Sequence, residues 1–420
     1  MADRGPHPTL HIKGEKSHSL LGKKIVLGVT GSIAAVRTVE LARELIRHGA
    51  DVYGVMSEAA TEIIHPYTLH YATGHEVITR LMGKIEHVEF LGMQGSADLY
   101  VIAPCTANTL NKIATGVSDT TVTAFATTAF GSGIPIIVVP AMHETIYRSP
   151  VLIENVKKLK QLGVTVIEPK IEEGLAKIAS TEEIILVVER MLSAGKLAGK
   201  RILITGGPTI EPIDSIRVLT NRSSGRTGIE LAREAYRQGA DVTLVHSKEL
   251  NLRIIREIRV ETAEEMIDAC INELRKAKVK VKAVGGKEKE YDVLISAAAI
   301  SDFTPELQEG KLPSGAEHHL VLVPTAKLIE EVRQEFPELV IVGFKAEVKV
   351  SEEELIEKAR AKMKRYNLAM VVANDLANGG MGTAENEVYI LRRDKNEMKH
   401  VKGAKTMIAV EILNELSGLL

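Results

Sequence analysis

No tryptophan occurs in these 420 residues, and only two cysteines do. Cys105 and Cys270 are too few and too far apart for a disulfide framework or a zinc site, so a reducing compartment, the cytoplasm, is expected. Charge of one sign is also missing: 53 Lys and Arg stand against 55 Asp and Glu, a formal net charge of −2. That balance leaves no global case for nucleic acid as a partner, and the basic run Lys276–Lys282 reads as the solvated face of a helix end. No apolar run approaches the roughly 18 residues of a membrane helix, so no membrane partner is expected. Met1–Ser19 is polar and lacks the apolar stretch of a secretory signal, which makes residues 1–20 an expected flexible leader. Two common nucleotide-binding spellings are absent as well, the dinucleotide fingerprint G-x-G-x-x-G and the Walker loop.

What is present is length and repetition. A chain of this size exceeds one ordinary core and suits two domains. Glu40–Val52 (ELARELIRHGADV) and Glu230–Val242 (ELAREAYRQGADV) read alike, and each follows a β-branched run, Lys23–Val29 and Lys200–Thr205. Each copy continues into another apolar run, so the order strand, loop, amphipathic helix, strand is written twice. Leu41, Ala42, Leu45 and Ile46 share one helical face, and Gly49 supplies the left-handed stop. Further strands are expected at Asp98–Ala103, Ile134–Val139, Thr165–Ile167, Val293–Ser296, Val340–Phe344 and Met370–Ala373. The fold class that follows is α/β, with two doubly wound, Rossmann-like domains at residues 21–192 and 199–420 and a small glycine-containing linker at 193–198.

In open parallel sheets, chemistry sits in the loops that leave the carboxyl ends of strands. Gly31-Ser32-Ile33-Ala34 leaves the first strand and opens a helix, which aims backbone N–H groups and a hydroxyl at an anion or forms a plain cap. Ser57 ends the second strand in the same way. Pro104-Cys105-Thr106-Ala107-Asn108-Thr109 follows an apolar strand with hydroxyls and an amide suited to a phosphate or carboxylate. Gly116-Val117-Ser118-Asp119 and Pro140-Ala141-Met142-His143 come next. In the second half, Gly206-Gly207-Pro208-Thr209 and Asn221-Arg222-Ser223-Ser224-Gly225 have the composition of a phosphate cradle.

The order and spacing of Gly-Ser-Ile-Ala, His87-Val88-Glu89-Phe90, Pro-Cys-Thr-Ala-Asn-Thr and Pro-Ala-Met resemble the flavin-dependent cysteine decarboxylases, specifically the phosphopantothenoylcysteine decarboxylase domain. The resemblance implies a flavodoxin-like domain that holds FMN through Gly31, Ser32, Ile33, Ala34, Ser57, Thr106 and Ser118. It places the family's catalytic histidine on His87, its substrate asparagine on Asn108 and its substrate clamp on Met142 and His143. A β-thiol acid resists decarboxylation because departing CO₂ strands a carbanion; oxidation of the thiol to a thioaldehyde supplies the electron sink, and hydride return restores the flavin. An imidazole suits the base near the thiol, and an amide holds a carboxylate without adding a titrating charge. Two positions depart from the family: His143 replaces its asparagine, and Glu172–Lys177 stands where an Ala-Cys-Gly-Asp segment carries its reductive cysteine. Lys177 and Cys105 are the substitutes the sequence offers.

The second half resembles phosphopantothenate-cysteine ligase along nearly its whole length, through Gly-Gly-Pro-Thr, Asn-Arg-Ser-Ser-Gly, Ala298–Asp302 (AAISD), Val342–Glu347 (VGFKAE) and Ala373–Asp375 (AND). That likeness implies a nucleotide-binding ligase domain in which CTP, with Mg²⁺, activates phosphopantothenate as an acyl-nucleotidyl anhydride that cysteine then opens. Charge neutralisation by lysines, Mg²⁺ and amide donors is the expected machinery. By position Asn221 holds the acyl intermediate, Asp302 and Phe344 contact the nucleotide, Lys311 stabilises charge and Lys362 holds triphosphate. The family's Lys-x-Lys-Lys is here Lys311-Leu312-Pro313-Ser314, and a second triphosphate lysine is Tyr366, for which Lys364 or Arg365 could compensate. No metal ligands are legible. The ligase's product, phosphopantothenoylcysteine, is the decarboxylase's substrate, so a bifunctional enzyme of coenzyme A biosynthesis is expected, as a homo-oligomer built on flavoprotein trimers. The alternatives are a tandem-Rossmann NAD(P) dehydrogenase and a non-catalytic flavin-binding regulator.

Overall fold

The structure, a computed structural model, describes residues 7–283 and 290–420 apart from 249, 251, 309 and 316, with the side chains of 279–283 and 378 also outside the description. The chain divides into two compact units, Met1–Ser193 and Ala194–Leu420.

The first unit is built on five parallel strands, β1 (Lys24–Val29), β2 (Asp51–Met56), β3 (Leu99–Cys105), β4 (Ile136–Pro140) and β5 (Thr165–Val166), in the order β2-β1-β3-β4-β5. This is the flavodoxin-like order, and the crevice of such a sheet opens between β1 and β3, where the winding reverses. All seven residues of β3 are buried, as expected of a central strand covered on both faces. Helix α1 (Thr38–Arg47) buries Leu41, Ala42, Leu45 and Ile46, and Gly49 ends the turn at φ 104°. Helices α2 (Glu86–Leu91), α3 (Ala107–Thr115) and α4 (Thr121–Ser132) follow. The core gathers Tyr100, Ile102, Leu110 and Phe125 with Val138 and Leu159.

The expectation of a flexible leader is corrected from residue 7 onward. Ile12 and Leu20 are buried, Gly14 N and Leu20 N donate to Ile46 O and His48 O at 3.0 and 2.9 Å, and Lys13 pairs with Asp51 at 2.6 Å. Two apolar side chains in a polar stretch are enough to dock it once backbone partners are at hand. Residues 1–6 of that expected leader lie outside the described residues, as do the side chains of Lys280 and Lys282 in the basic run.

The second unit has eight strands, β6 (Arg201–Gly206), β7 (Asp241–His246), β8 (Arg256–Arg259), β9 (Val293–Ser296), β10 (Val340–Glu347), β11 (Met370–Asp375), β12 (Glu385–Arg392) and β13 (Met398–Ala404), in the order β8-β7-β6-β9-β10-β11-β12-β13. The first six are parallel, whereas β12 and β13 add antiparallel to the edge. That hairpin was not among the sequence expectations, although β12 carries the apolar run Val388–Leu391; β13 (MKHVKGA) is polar and has none. Helices α5 (Arg226–Arg237), α6 (Ala263–Ala283), α7 (Leu328–Glu335), α8 (Glu352–Arg365) and α9 (Lys405–Ser417) flank the sheet. Leu203, Leu294, Ile341 and Val371 of the strands pack with Met266, Val332 and Leu355 of α6, α7 and α8. The segment expected as a linker is docked on this unit: Leu197 is buried, and its N–H donates to Gln238 O at 2.9 Å.

Candidate functional site

In the first unit the loops leaving β1 and β3 are tied together at the crevice. Thr30 Oγ1 donates to Pro104 O at 2.8 Å and accepts from Thr106 N at 2.9 Å. Ser32 caps the turn after β1 by accepting from Ala34 N at 3.3 Å, Ser57 does the same for Ala60 N at 3.3 Å, and Thr106 opens α3 by accepting from Thr109 N at 3.4 Å. The plain-cap reading therefore holds for Ser32 and Ser57, Thr106 adds a third cap, and each turn starts at the carboxyl end of its strand, where first N–H groups favour an anion. Gly31 is dictated by packing, since a Cβ there would stand 2.6 Å from Ala59 Cβ and 2.9 Å from Ala59 O. Asn108 and Ser118 are exposed, on α3 and on the loop after it.

His87 lies on α2, its ring 6.3 Å from that of Phe125. Its Nδ1 is buried without a hydrogen-bond partner. An unsatisfied buried nitrogen is costly and uncommon in a finished protein interior. An orphaned polar atom of this kind, in a unit with the flavodoxin-like strand order, fits a crevice that takes a flavin and its substrate. Exposed apolar side chains stand beside the same residues: Ile33, Ile85, Val88 and Val117.

Met142 and His143 form a short strand that pairs antiparallel with Leu175–Ala176. The segment Lys170–Lys177 is itself a hairpin, turned at Glu173 and Gly174, both with positive φ. The stretch that replaces the family's cysteine segment is thus hydrogen-bonded directly to the clamp residues. Neither substitute offered by the sequence gains acidity. Burial pushes the Cys105 thiol far up, inside the core, and bonds to Glu173 and Glu172 raise the Lys177 ammonium.

In the second unit, three distant motifs are stitched at the carboxyl ends of β6 and β9. Ala299 N donates to Gly207 O at 2.9 Å, Ser301 N to Thr209 Oγ1 at 2.9 Å, and Asn221 Nδ2 to Ala299 O at 2.9 Å. Beside them opens a cavity of about 670 Å³ lined by Asp302, Phe344 and Lys362 and by Ala298–Ser301. Five basic side chains, Lys327, Lys345, Lys358, Lys362 and Arg365, face two acids, Asp302 and Glu347. Lys327 pairs with Asp302, Lys345 and Lys358 with Glu347, and Arg365 with Glu330 outside the lining. Among the described residues lining the cavity, Lys362 is the cation with no carboxylate at ion-pair distance; its Nζ donates to Phe344 O at 2.7 Å. Burial, then Lys345, lowers its pKa, as expected of an ammonium held for an anionic ligand.

Lys311 is not brought into this cavity. It is exposed, on a loop held elsewhere: Leu312 N donates to Asp214 Oδ2 at 3.0 Å, and Ser215 N to Gly310 O at 3.1 Å. Asp214 also accepts from the backbone N–H of Ile216 and Arg217 and pairs with the Arg217 guanidinium, and these bonds hold its carboxyl far below the usual range. Tyr366, at the position of the second family lysine, donates to Glu330 at 2.9 Å. Of its two possible replacements Arg365 lines the cavity and Lys364 is absent from the described lining. Sequence reasoning passed over Lys327, Lys345 and Lys358. The spacing of Lys358, Lys362 and Arg365, four and three apart, was a legible one-face signal on a helix, whereas nothing local joins Lys327 to them.

A unit with the flavodoxin-like strand order and an α/β unit with a basic cavity together define a protein of two nucleotide-type folds, and comparison with known proteins says of which family. Residues 13–193 match the family described as Flavoprotein, and residues 197–419 match the DNA/pantothenate metabolism flavoprotein C-terminal domain. The coenzyme A biosynthesis bifunctional protein CoaBC of Thermococcus kodakarensis is 49% identical over 391 residues, 92% of this chain and 93% of that protein. Its counterpart in Methanocaldococcus jannaschii is 39% identical over 416 residues, 98% of each. A crystal structure of the C-terminal domain of a CoaBC protein, 30% identical, covers 54% of this chain and 98% of that one at a TM-score of 0.42. The chain belongs to the family of bifunctional coenzyme A biosynthesis proteins.

Proposed function

We propose that this chain performs two consecutive steps of coenzyme A biosynthesis: the second unit joins phosphopantothenate to cysteine using CTP and Mg²⁺, and the first decarboxylates the phosphopantothenoylcysteine with FMN to give phosphopantetheine. The observation that carries the reading is the presence, in one chain with near full-length kin, of a basic cavity in one unit and the flavodoxin-like strand order in the other.

A carboxylate at neutral pH is a poor acylating agent, so ligation requires its conversion to an anhydride with nucleotide phosphate. The excess of base around Lys362 offsets triphosphate charge, and the buried setting strengthens that interaction. Asp302 and Phe344 border the nucleotide, and Asn221, fixed on Ala299 O, presents its amide to the acyl group. Lys311 keeps its assignment on motif position alone. Mg²⁺ joins the nucleotide; among the described residues no cluster of three or more His, Cys, Asp or Glu could hold a metal, which suits an ion that arrives on the triphosphate.

In the first unit Gly31, Ser32, Ile33, Ala34, Ser57, Thr106 and Ser118 would hold FMN at the crevice. When bound, the flavin supplies a reversible two-electron acceptor beside the thiol. His87 takes the thiol proton, Asn108 donates to the carboxylate, and Met142 with His143 closes over the substrate. Exposed Ile33, Ile85, Val88 and Val117 next to these residues support a flavin covered by a neighbouring subunit, in trimers. The same steps in the cytoplasm need no membrane, and no helix among the described residues is long and apolar enough to cross one.

The test is mass analysis of products from phosphopantothenate, cysteine, Mg²⁺ and either CTP or ATP. Phosphopantothenoylcysteine followed by phosphopantetheine is expected with CTP; a colourless preparation that forms neither refutes the proposal. A flavin-binding regulator would bind flavin without releasing CO₂ from the conjugate.

A further inference from the structure

The cations that line the basic cavity of the second unit are unevenly held. Lys345 and Lys358 share the Glu347 carboxylate, whose side chain is 21% exposed, and Lys358 also reaches Glu354 at 2.7 Å. Arg365 is held by Glu330, which accepts from Tyr366 as well. Among the described residues Lys327 pairs with Asp302 alone, and that pair stands largely in water, its side chains 44% and 73% exposed. An ion pair so placed contributes little, because solvent screens it and both side chains lose freedom in forming it. Of the four paired cations, Lys327 is therefore the easiest to release.

Helix chemistry does not account for a lysine at this position. Lys327 is the N-cap of α7 and gives that helix no side-chain cap. A positive charge at a helix start opposes the macrodipole, and Ser, Thr, Asp or Asn are the residues that stabilise it. Its backbone is nevertheless fixed beside Asp302: Thr325 N donates to Asp302 O at 3.0 Å, and Thr325 Oγ1 donates to Ser301 O. What can move is the side chain, a flexible stem that carries a point charge. Asp302, Lys327 and Lys362 all line the cavity, and their charges act on one another. Burial first, then Lys345, lowers the Lys362 pKa; Asp302 opposes that fall and Lys327 adds to it.

We propose that Lys327 is a mobile ligand for the nucleotide triphosphate, which rests on Asp302 in the empty cavity and passes to the outer phosphates when nucleotide binds, leaving the Asp302 carboxylate free to accept from the nucleoside. The proposal rests on the ligase reading, in which this cavity takes a nucleoside triphosphate. Such a ligand brings several negative charges to a place where, among the described lining residues, Lys362 alone lacks a carboxylate at ion-pair distance. A second cation released from its acid meets that charge, and Lys327 is the one whose release also frees an acceptor within the lining. A monophosphate offers Lys327 no outer phosphate, so the exchange discriminates nucleotides by their number of phosphates. Lys327 binds and selects, and takes no part in bond making.

The test compares the full-length wild type with Lys327→Met in the presence of Mg²⁺, by calorimetric titration with CTP and with CMP and by initial rates of ligation. The variant should bind CTP about 10- to 100-fold more weakly and show a matching rise in KM for CTP, the range for losing one charged hydrogen bond. Its kcat and its affinity for CMP should change little, and its melting curve should follow that of the wild type, since an exposed side chain is removed. If ligation runs on ATP, ATP and AMP take the place of CTP and CMP with the same expectations. Undiminished triphosphate binding in the variant, equal weakening of triphosphate and monophosphate, or a fall in kcat with triphosphate binding unchanged overturns the proposal. So does a wild type that binds neither triphosphate more tightly than its monophosphate. An amide-forming wild type whose triphosphate binding is indifferent to Lys327→Met removes the mobile ligand and leaves the ligase reading intact. A Lys327-dependent preference for triphosphate in a chain that forms no amide sinks the ligase reading and leaves the mobile ligand standing.

Discussion

Gly31→Ala tests whether the flavin crevice is shaped by backbone packing. The added Cβ would stand 2.6 Å from Ala59 Cβ, 2.9 Å from Ala59 O and 3.0 Å from Ala59 C, against an ordinary carbon contact of about 3.5–4.0 Å. The obstructing atoms are backbone and a β-carbon, which no rotamer change can move. The loop after β1 and the turn that Ser57 opens must therefore separate by about 1 Å, and overpacking of this kind typically costs about 1–3 kcal/mol. For a unit of this size each kcal/mol lowers the melting temperature by about 2–4 °C, so a fall of about 2–12 °C is expected in the first unit's transition. Both displaced segments border the proposed flavin site, so flavin content of the purified protein should fall as well. Ala59→Gly removes the 2.6 Å contact and leaves the carbonyl at 2.9 Å. In a double-mutant cycle, Gly31→Ala should therefore cost measurably less in the Ala59→Gly background. Circular dichroism melts and flavin absorbance read both quantities. A Gly31→Ala protein that melts and binds flavin like the wild type, or a cycle with no coupling, refutes the reasoning.

His87→Asn should slow CO₂ release from phosphopantothenoylcysteine by about 10²–10⁴-fold, the usual worth of a positioned base, with ligation unchanged; manometry against a ligation assay checks it. Asn221→Asp sets a carboxylate oxygen against Ala299 O in place of a donor at 2.9 Å. It should slow ligation by about 10- to 100-fold and spare decarboxylation, and equal loss of both activities would contradict independent units. Lys362→Met removes the unpaired cavity cation and should raise KM for CTP by about 10- to 100-fold, as initial rates at varied CTP would reveal. The Asp214 carboxyl is lowered on folding, so its contribution is complete above the unfolded value of about 3.9 and drains as pH falls toward the folded one. Asp214→Asn should thus destabilise at pH 7, and the gap to wild type in urea melts should narrow below about pH 4; a gap that widens on acidification would be the wrong sign.

Much of the architecture was readable because it is local. The repeated ELARE…GADV words declare a helix, a glycine stop and a strand within 13 residues, and both copies fold that way. Caps at Ser32, Ser57 and Thr106 follow the same short-range logic. The docking of residues 7–20 was not readable, since Ile12 and Leu20 find partners on α1 and its following turn only after the sheet has formed. Of the hairpin β12–β13, the edge strand β13 was unreadable because it is polar and carries no apolar run, whereas the run Val388–Leu391 of β12 was a legible signal that was passed over.

Taken alone, the sequence determined the alternation of strand and helix, the two-unit plan and the motifs that end up in loops, for these depend on spacing along a few turns of chain. Tertiary structure alone decided which charges confront one another. Strand order brings Asn221 to Ala299 and Lys327 to Asp302 beside Lys362, and leaves Lys311 outside. Electrostatic energy depends on separation and burial in space, and a parallel sheet fixes both only when its crossovers have closed.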